Sequence, residues 1–331
     1  MSSWFSSRPR SSCSALALAL FATACHGGSA VGDDDHGDDD GTGDPKDAPG
    51  HDATDAPDTP MPGEPHLLIA AGDVASSDPN DTQTANLVDT LDGTIILLGD
   101  NAYSNGSTAN YQDYFEPTWG KFKSRIHPTP GNHEYRTTDA SGYFDYFGAA
   151  AGDPDKGYYS FDLGNWHLIA INTNGEDECD EIACNAGSAQ EQWLRDDLAA
   201  NTKPCTLAYW HHPRWSSGEH GNGTGTQALR QALFDAKAEM VLAGHDHDYE
   251  RFKPLDDQGA VDPTNGITQI VVGTGGRKLR DFDADQPAIT EIRNGKTYGV
   301  LHLKLYDDRA EYEFKPIAGS TFTDSGTVTC H

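Results

Sequence analysis

Hydrophobic residues in this chain occur in short uninterrupted runs, and each run is followed by a small cluster of polar residues. Runs without polar alternation are typical of strands that are buried on both faces of a sheet. Between the first two runs, residues 83–91 have the spacing of an amphipathic helix. This β-α-β pattern places functional groups at the carboxyl ends of the strands. The runs in question are 66–71, 94–98, 205–210 and 240–242.

Other elements follow from the same reasoning. Ser188 and Glu191 have the spacing of a capping box, so we predict a helix over 188–200. Later segments alternate apolar and polar residues, which indicates strands with one solvated face. The remaining predictions are helices at 111–122, interrupted near Pro117, and at 227–238, a hairpin of 157–162 with 166–172, and strands at 267–272, 299–306 and 309–314. The predicted fold class is α/β, a two-sheet β sandwich flanked by helices with five functional loops on one edge.

Composition divides the chain into three parts. With 331 residues and a formal charge of −29, it is too acidic for a protein that binds a nucleic-acid backbone. Residues 1–25 have the features of an export signal, namely two arginines, an apolar stretch too short to span a bilayer, and small residues before Cys25. This end resembles the lipobox of bacterial lipoproteins, although Ala22 stands where leucine is usual. We expect a bacterial cell-envelope lipoprotein, with plain secretion as the alternative.

Residues 26–65 are of low complexity and contain twelve acidic residues and one lysine. Self-repulsion and proline predict a disordered acidic linker, and a loose calcium-binding tract is the alternative. Residues 66–331 are long enough for one domain with a large core, and they contain no apolar stretch of spanning length. Membrane contact is therefore expected only through the N-terminal lipid.

Four cysteines lie in the 66–331 domain: Cys179, Cys184, Cys205 and Cys330. An even number in an exported chain predicts two disulfides, for which three pairings are possible. One of them closes a short acidic loop between Cys179 and Cys184 and ties the C-terminus to Cys205. A zinc site is the competing interpretation, but the chain contains no C-x-x-C sequence.

The chemistry is carried by five polar clusters, each of which follows an apolar run. The last cluster contains two histidines one residue apart, a spacing that suits ligands to neighbouring metals. In chain order the clusters are Gly72-Asp73, Gly99-Asp100-Asn101-Ala102-Tyr103, Gly131-Asn132-His133-Glu134, His211-His212-Pro213 and Gly244-His245-Asp246-His247. Together they resemble the five metal-binding blocks of calcineurin-like metallophosphoesterases, and the tyrosine resembles that of the purple acid phosphatase branch. One departure is Asp73-Val74-Ala75, where that branch usually has glycine two residues after the aspartate.

The resemblance implies a dinuclear metal site at the strand ends of a catalytic domain over 66–331. Asp100 would bridge the metals, with Asp73, Tyr103 and His247 on the first metal and Asn132, His211 and His245 on the second. The first set is anionic and suits a trivalent ion such as Fe(III), whereas the second suits a divalent ion such as Zn, Fe or Mn.

The expected reaction is hydrolysis of phosphate monoesters by a hydroxide that two metals activate, as in acid phosphatases, on small phosphorylated substrates. A phosphodiesterase using the same site is the first alternative, and a catalytically silent surface-binding module is the second. The resemblance makes His133 the candidate for protonating the leaving group or clamping the phosphate. His220, in a Gly-rich segment, resembles a further histidine on the substrate side.

Other polar residues near the clusters are expected to have supporting roles. His212 should point away from the site, because successive side chains alternate on an extended chain. Glu134 and Asn101 are interpreted as turn residues, and Arg251 as a partner of Asp248 or a neighbour, or as a group that approaches substrate. The glycine cluster at 273–276 is interpreted as a tight turn near the site.

Overall fold

Two mixed β-sheets and flanking helices make up the part of the chain that the structure, a computed structural model, describes: residues 63–174, 178–282 and 285–331. The predicted export signal and most of the predicted linker lie outside these residues. In chain order the strands are β1 (His66–Ala71), β2 (Thr94–Leu98), β3 (Ile126–Thr129), β4 (Tyr159–Leu163), β5 (Trp166–Ala170), β6 (Cys205–Trp210), β7 (Met240–Ala243), β8 (Tyr249–Phe252), β9 (Thr268–Val272), β10 (Thr290–Asn294), β11 (Gly299–Leu305), β12 (Arg309–Pro316) and β13 (Ser325–Thr329).

Helices lie between these strands, and several of them are short. The α-helices are α1 (Asn80–Val88), α2 (Thr108–Asn110), α3 (Glu116–Thr118), α4 (Ser141–Phe147), α5 (Ala189–Ala200) and α6 (Gln227–Asp235). A π-helix spans Tyr111–Phe115, and 3₁₀-helices span Gly120–Arg125, Glu134–Arg136, Thr138–Ala140 and Gly148–Ala151. In the described part of the chain, no helix combines the length and the hydrophobicity that crossing a bilayer requires.

The first sheet has the order β13-β12-β11-β1-β2-β3, and the second has the order β10-β8-β9-β7-β6-β5-β4. In the first sheet β1, β2 and β3 are parallel, and in the second β5, β6, β7 and β9 are parallel. All five polar clusters follow strands of these parallel sets, namely β1, β2, β3, β6 and β7. The predicted two-sheet α/β fold is confirmed.

Both faces of the central strands are buried, which explains the apolar runs. Leu68 and Ala70 of β1 face the core between the sheets, where they join residues of β5, β6, β7 and β9. Ile69 and Ala71 face the opposite way, into a cluster with Val88 of α1 and with the segment that leads to β3. In the second sheet, the outer face packs against α5 and α6.

Some predicted boundaries differ from the observed ones. The helix predicted over 111–122 with an interruption near Pro117 is a π-helix, one turn of α-helix and a 3₁₀-helix, and Pro117 lacks the N–H that a continuous helix needs. The helix predicted at 83–91 spans Asn80–Val88. The capping box is half formed: Ser188 Oγ accepts a hydrogen bond from Glu191 N at 3.2 Å, whereas the Glu191 carboxylate accepts from Gly187 N.

Two disulfides join the four cysteines of the domain: Cys179–Cys184 and Cys205–Cys330. Of the three pairings that the sequence allows, this is the one that closes a short loop and ties down the C-terminus. Cys205 begins β6 in the second sheet and Cys330 directly follows β13 in the first. The second disulfide therefore links the two sheets covalently.

Candidate metal centre

The seven predicted metal ligands lie on five loops that follow β1, β2, β3, β6 and β7. Because these strands are parallel within each sheet, their carboxyl ends meet at one edge of the sandwich. Five of the seven residues are buried, Asn132 and His245 are half-buried, and all seven side chains converge at this edge. The ligands are Asp73, Asp100, Tyr103, Asn132, His211, His245 and His247.

Asp73, Tyr103 and His247 form the first group. The Tyr103 hydroxyl donates a hydrogen bond to Asp73 Oδ1 at 2.7 Å and lies 3.1 Å from His247 Nε2. His247 Nε2 is 3.4 Å from Asp73 Oδ1. The carboxylate, phenol and imidazole that the sequence assigned to one metal are thus in mutual contact.

Asn132, His211 and His245 form the second group. His211 Nε2 lies 3.1 Å from Asn132 Oδ1 and 3.2 Å from His245 Nδ1. The same nitrogen is 3.4 Å from Asp100 Oδ1, and one potential ligand atom each of Asp73, Asp100 and His211 lie within 4.8 Å of one another. Asp100 therefore lies between the two groups, as a bridging ligand would.

Backbone carbonyls fix the orientation of two of the imidazole rings. His211 Nδ1 is 2.8 Å from the carbonyl oxygen of Leu98, and His247 Nδ1 is 2.9 Å from that of Lys278. A carbonyl can only accept, so each Nδ1 carries the proton and each Nε2 presents a lone pair to the centre. Such bonds commonly orient histidine ligands.

The backbone is strained where it presents these side chains. Asp73, Asp100 and His245 have φ values of 59°, 51° and 73°, in the left-handed region. Such a conformation costs on the order of 1–3 kcal/mol for a residue other than glycine, and it concentrates at functional sites. Gly131 is needed for the close approach of two loops, since a Cβ there would lie 2.1 Å from Asp100 Oδ1.

Glu134 holds two of the five loops together. Its side chain is fully buried and accepts hydrogen bonds from the backbone N–H groups of Gly131 (2.7 Å), Asn101 (2.9 Å) and Ala102 (3.2 Å). Burial and the nearby charge of Asp100 raise the pKa of Glu134 to about 8, against the effect of these N–H groups. Glu134 and Asn101 are turn residues, as the sequence analysis interprets them.

The electrostatics of the centre favour bound cations. Burial together with the charges of Asp100 and Asp73 raises the pKa of Tyr103 well above its usual value. Burial and the neighbouring histidines lower the pKa of His245 far below its usual value. Buried carboxylates side by side, with imidazole nitrogens beside them, fit bound cations. Such cations would relieve the repulsion between the carboxylates and favour a phenolate at Tyr103.

His133 and His220, the predicted substrate-side histidines, both border the centre. His133 Nε2 is 3.6 Å from Asp100 Oδ2, and its Nδ1 is 2.6 Å from the carbonyl oxygen of Ser104. His220 stacks against His245 with ring centroids 4.1 Å apart, and its Nδ1 is 2.8 Å from Asp246 Oδ1.

The Gly-rich segment that carries His220 is fixed by a residue that the sequence analysis did not single out. Glu178 accepts hydrogen bonds from the backbone N–H groups of Thr224, Gly225 and Thr226 at 2.9, 2.9 and 3.2 Å. The adjacent Cys179–Cys184 disulfide closes the loop that presents Glu178.

The prediction that His212 points away is wrong. Its ring is buried, and the centroid lies 4.4 Å from that of His245. Side-chain nitrogens of His211, His212 and His245 lie within 4.8 Å of one another. The physical reason is that β6 ends at Trp210, so the strand alternation no longer applies. His212 Nδ1 lies 3.1 Å from Thr173 Oγ1, which anchors the ring.

The remaining residues near the centre have structural contacts. Ala75, at the departure from the usual first block, is fully buried, and its carbonyl accepts from Tyr103 N at 2.9 Å. Arg251 pairs with Asp324 rather than with Asp248. The chain bends at the end of the glycine cluster. A Cβ on Gly273 would lie 1.9 Å from the carbonyl oxygen of Asp246, so the cluster packs closely against the loop after β7.

The model of the calcineurin-like phosphoesterase family matches residues 56–249, a span that includes all five loops. The chain belongs to this family. The resemblance to metallophosphoesterases drawn from the five clusters is therefore confirmed, and the two-sheet architecture is that of the family.

Curated relatives lead to the same branch of the calcineurin-like phosphoesterases. Purple acid phosphatase 22 of Arabidopsis thaliana is 26% identical over 227 residues, which cover 60% of this chain and 50% of the relative. Purple acid phosphatase 21 of the same plant is 28% identical over 280 residues, 76% of this chain and 60% of the relative. The chain thus spans half to three fifths of the length of these relatives.

A solved structure supports the fold of this calcineurin-like phosphoesterase. The purple acid phosphatase PPD1 from yellow lupin (Lupinus luteus) seeds superposes with a TM-score of 0.68. The sequences are 19% identical, and the match covers 82% of this chain and 55% of the lupin protein. At that identity the likeness concerns the architecture alone.

Proposed function

We propose that this protein hydrolyses phosphate monoesters at a dinuclear metal centre. The observation that carries the proposal is the convergence of seven donor side chains from five loops at one edge of the sandwich. Similarity to purple acid phosphatases supports the same reaction class.

The proposed ligands are those predicted from the sequence, with Asp100 shared. Asp73, Tyr103 and His247 form an anionic set that suits Fe(III), whereas Asn132, His211 and His245 are neutral ligands for a divalent ion such as Zn, Fe or Mn. When bound, the ions would supply an activated water and neutralise charge on the phosphoryl oxygens.

His133 is proposed to protonate the leaving-group oxygen. Because Nδ1–H donates to the Ser104 carbonyl at 2.6 Å, Nε2 is the nitrogen that faces the centre, and it has a proton to give when the ring is the imidazolium cation. Only 17% of the His133 side chain is exposed, so the ring lies at the edge of the site, where a substrate could reach it. His220 is proposed to contact substrate from the opposite side, with its ring fixed by Asp246.

The decisive experiment combines metal analysis with a panel of phosphate esters. Purified protein should contain two transition-metal ions and should hydrolyse 4-nitrophenyl phosphate much faster than bis(4-nitrophenyl) phosphate. Asp100→Asn should abolish turnover, because it removes a negative charge from both metal positions. Faster turnover of the diester would make the protein a phosphodiesterase, and absent turnover by metal-loaded protein would leave a silent binding module.

Export through the N-terminal segment is part of the proposal. Two disulfides within the described residues are compatible with an oxidising compartment. Full-length protein should fractionate with membranes, and Cys25→Ser should release active soluble protein. Equal membrane association of both forms would contradict lipidation at Cys25.

A further inference from the structure

The loop that follows β9 places three basic residues beside the proposed metal centre. Arg277, Lys278 and Arg280 fall within four positions of a chain whose formal charge is −29. The Lys278 carbonyl is the group that orients His247, and Arg280 N donates to the carbonyl of His247 at 3.0 Å. We call Arg277, Lys278 and Arg280 the basic rim. It is attached directly to a proposed ligand.

Both arginines of the basic rim are held in place. The guanidinium of Arg277 lies 4.9 Å from the ring centroid of Tyr103 and forms an ion pair with Asp78 at 3.2 Å. Arg280 Nη1 lies 3.3 Å from Glu219 Oε2 and 3.0 Å from His220 Nε2. Arg280 thus reaches from the side of the first proposed metal to the predicted substrate-side histidine.

Lys278 has no ion-pair partner among the described residues, and its side chain is exposed. The nearest acidic residue along the loop, Asp281, pairs with Lys296 at 3.7 Å. A free ammonium group attracts phosphate as a point charge, and arginine guanidinium groups bind it with parallel hydrogen bonds. His247 and the basic rim line one cleft of about 370 Å³, together with Glu219 and Asp281, whose carboxylates pair with Arg280 and Lys296.

We infer that the basic rim binds a second anionic group on the substrate, so that the preferred substrates are small phosphate esters with a further phosphate. This inference rests on the proposed function and names its substrate class. The observations that support it are the attachment of the rim to His247, the contact of Arg280 with His220, and the unpaired charge of Lys278. A long polyanion is disfavoured by the acidic remainder of the protein.

The test compares fructose 1,6-bisphosphate with fructose 6-phosphate at low ionic strength. Wild-type, metal-loaded protein should have a kcat/KM for the bisphosphate about tenfold higher, well above the factor of two that two equivalent phosphates would give. Lys278→Glu should lower kcat/KM for the bisphosphate about tenfold, and that for the monophosphate about twofold through weaker attraction. Lys304→Glu, a matched charge reversal on the exposed face of β11, should change neither value.

Calorimetric binding of the two sugar phosphates separates this inference from the proposed function. A wild-type ratio at or below two, together with equal affinities, would overturn the basic-rim assignment while phosphatase activity stood. If neither ester were hydrolysed but the bisphosphate bound more tightly, and Lys278→Glu removed that preference, the rim assignment would stand and the proposed function would fail. Equal losses from Lys278→Glu and Lys304→Glu would reduce the effect to general charge and overturn the inference.

Discussion

Glu134 provides the sharpest test of how the centre is held together, because one buried side chain serves two of its loops. In Glu134→Ala the N–H groups of Gly131, Asn101 and Ala102 lose their acceptor in a fully buried position. Each unsatisfied buried donor costs about 1–3 kcal/mol. Water that enters the space left by the side chain recovers part of this cost. The expected loss in the free energy of unfolding is about 4 kcal/mol.

A second substitution separates the hydrogen bonds from the cavity. Glu134→Gln retains an oxygen for Asn101 and Ala102, but its amide N–H₂ would face the Gly131 donor, so we expect about half the loss of Glu134→Ala. The assay is guanidinium denaturation of metal-free protein, followed by metal content at equilibrium. Both variants should bind less metal, since the loops that present Asp100 and Asn132 are no longer joined.

The matched control is Glu313→Ala, which removes a carboxylate that is 47% exposed on β12 and should change stability by less than about 0.5 kcal/mol. A Glu134→Ala protein whose free energy of unfolding lay within about 1 kcal/mol of wild type would show that Glu134 does not hold the two loops together. Normal metal content in both Glu134 variants would show the same.

Four further predictions address single features. Tyr103→Phe in iron-loaded, oxidised protein should lose a visible phenolate-to-iron charge-transfer band, and a wild type without colour would contradict Fe(III) at the first position. His133→Ala should slow alkyl phosphates at least about tenfold more than 4-nitrophenyl phosphate, which needs less protonation; equal losses would favour phosphate clamping. Burial lowers the pKa of His167, but hydrogen bonds to Asp197 and Asp162 outweigh burial, so the pKa is raised in the folded protein. The charged ring therefore stabilises the fold fully below about pH 6.5, and this stabilisation is lost as the pH rises through the folded-state pKa. His167→Gln should therefore destabilise more at pH 5.5 than at pH 9 in denaturation titrations, and a pH-independent difference would exclude the charge. Replacing both Cys205 and Cys330 by serine opens a 125-residue loop and should cost about 4 kcal/mol of unfolding free energy, whereas an unchanged value would mean that this link constrains little.

The residues that sequence reasoning located share a simple physical property. Asp73, Asp100, His211 and His245 each follow a strand buried on both faces, and such strands have a strong signal and a defined end. Parallel strands then bring their ends to one edge whatever the loops between them do. Convergence was therefore predictable without knowledge of any loop conformation.

The direction of the His212 side chain could not be predicted in this way. Strand alternation predicts directions only while the chain stays extended, and β6 ends two residues before His212. The direction of its ring depends on Thr173, a residue 39 positions away that has no sequence signal of its own. Contacts of this kind between distant loops need the folded chain.

The basic rim was not predicted for a different reason: its three basic residues are visible in the sequence, but nothing in the sequence connects them to the metal-binding clusters. Three basic residues in four positions contrast with the acidic composition, yet the distance in sequence between Lys278 and His247 hides their contact. Only the parallel pairing of β7 with β9 brings the two loops together. Charge contrast along a chain thus becomes informative once strand order is known, since neighbouring parallel strands place their following loops side by side. The loop after β9 therefore contacts His247 directly, although it carries none of the seven proposed ligands.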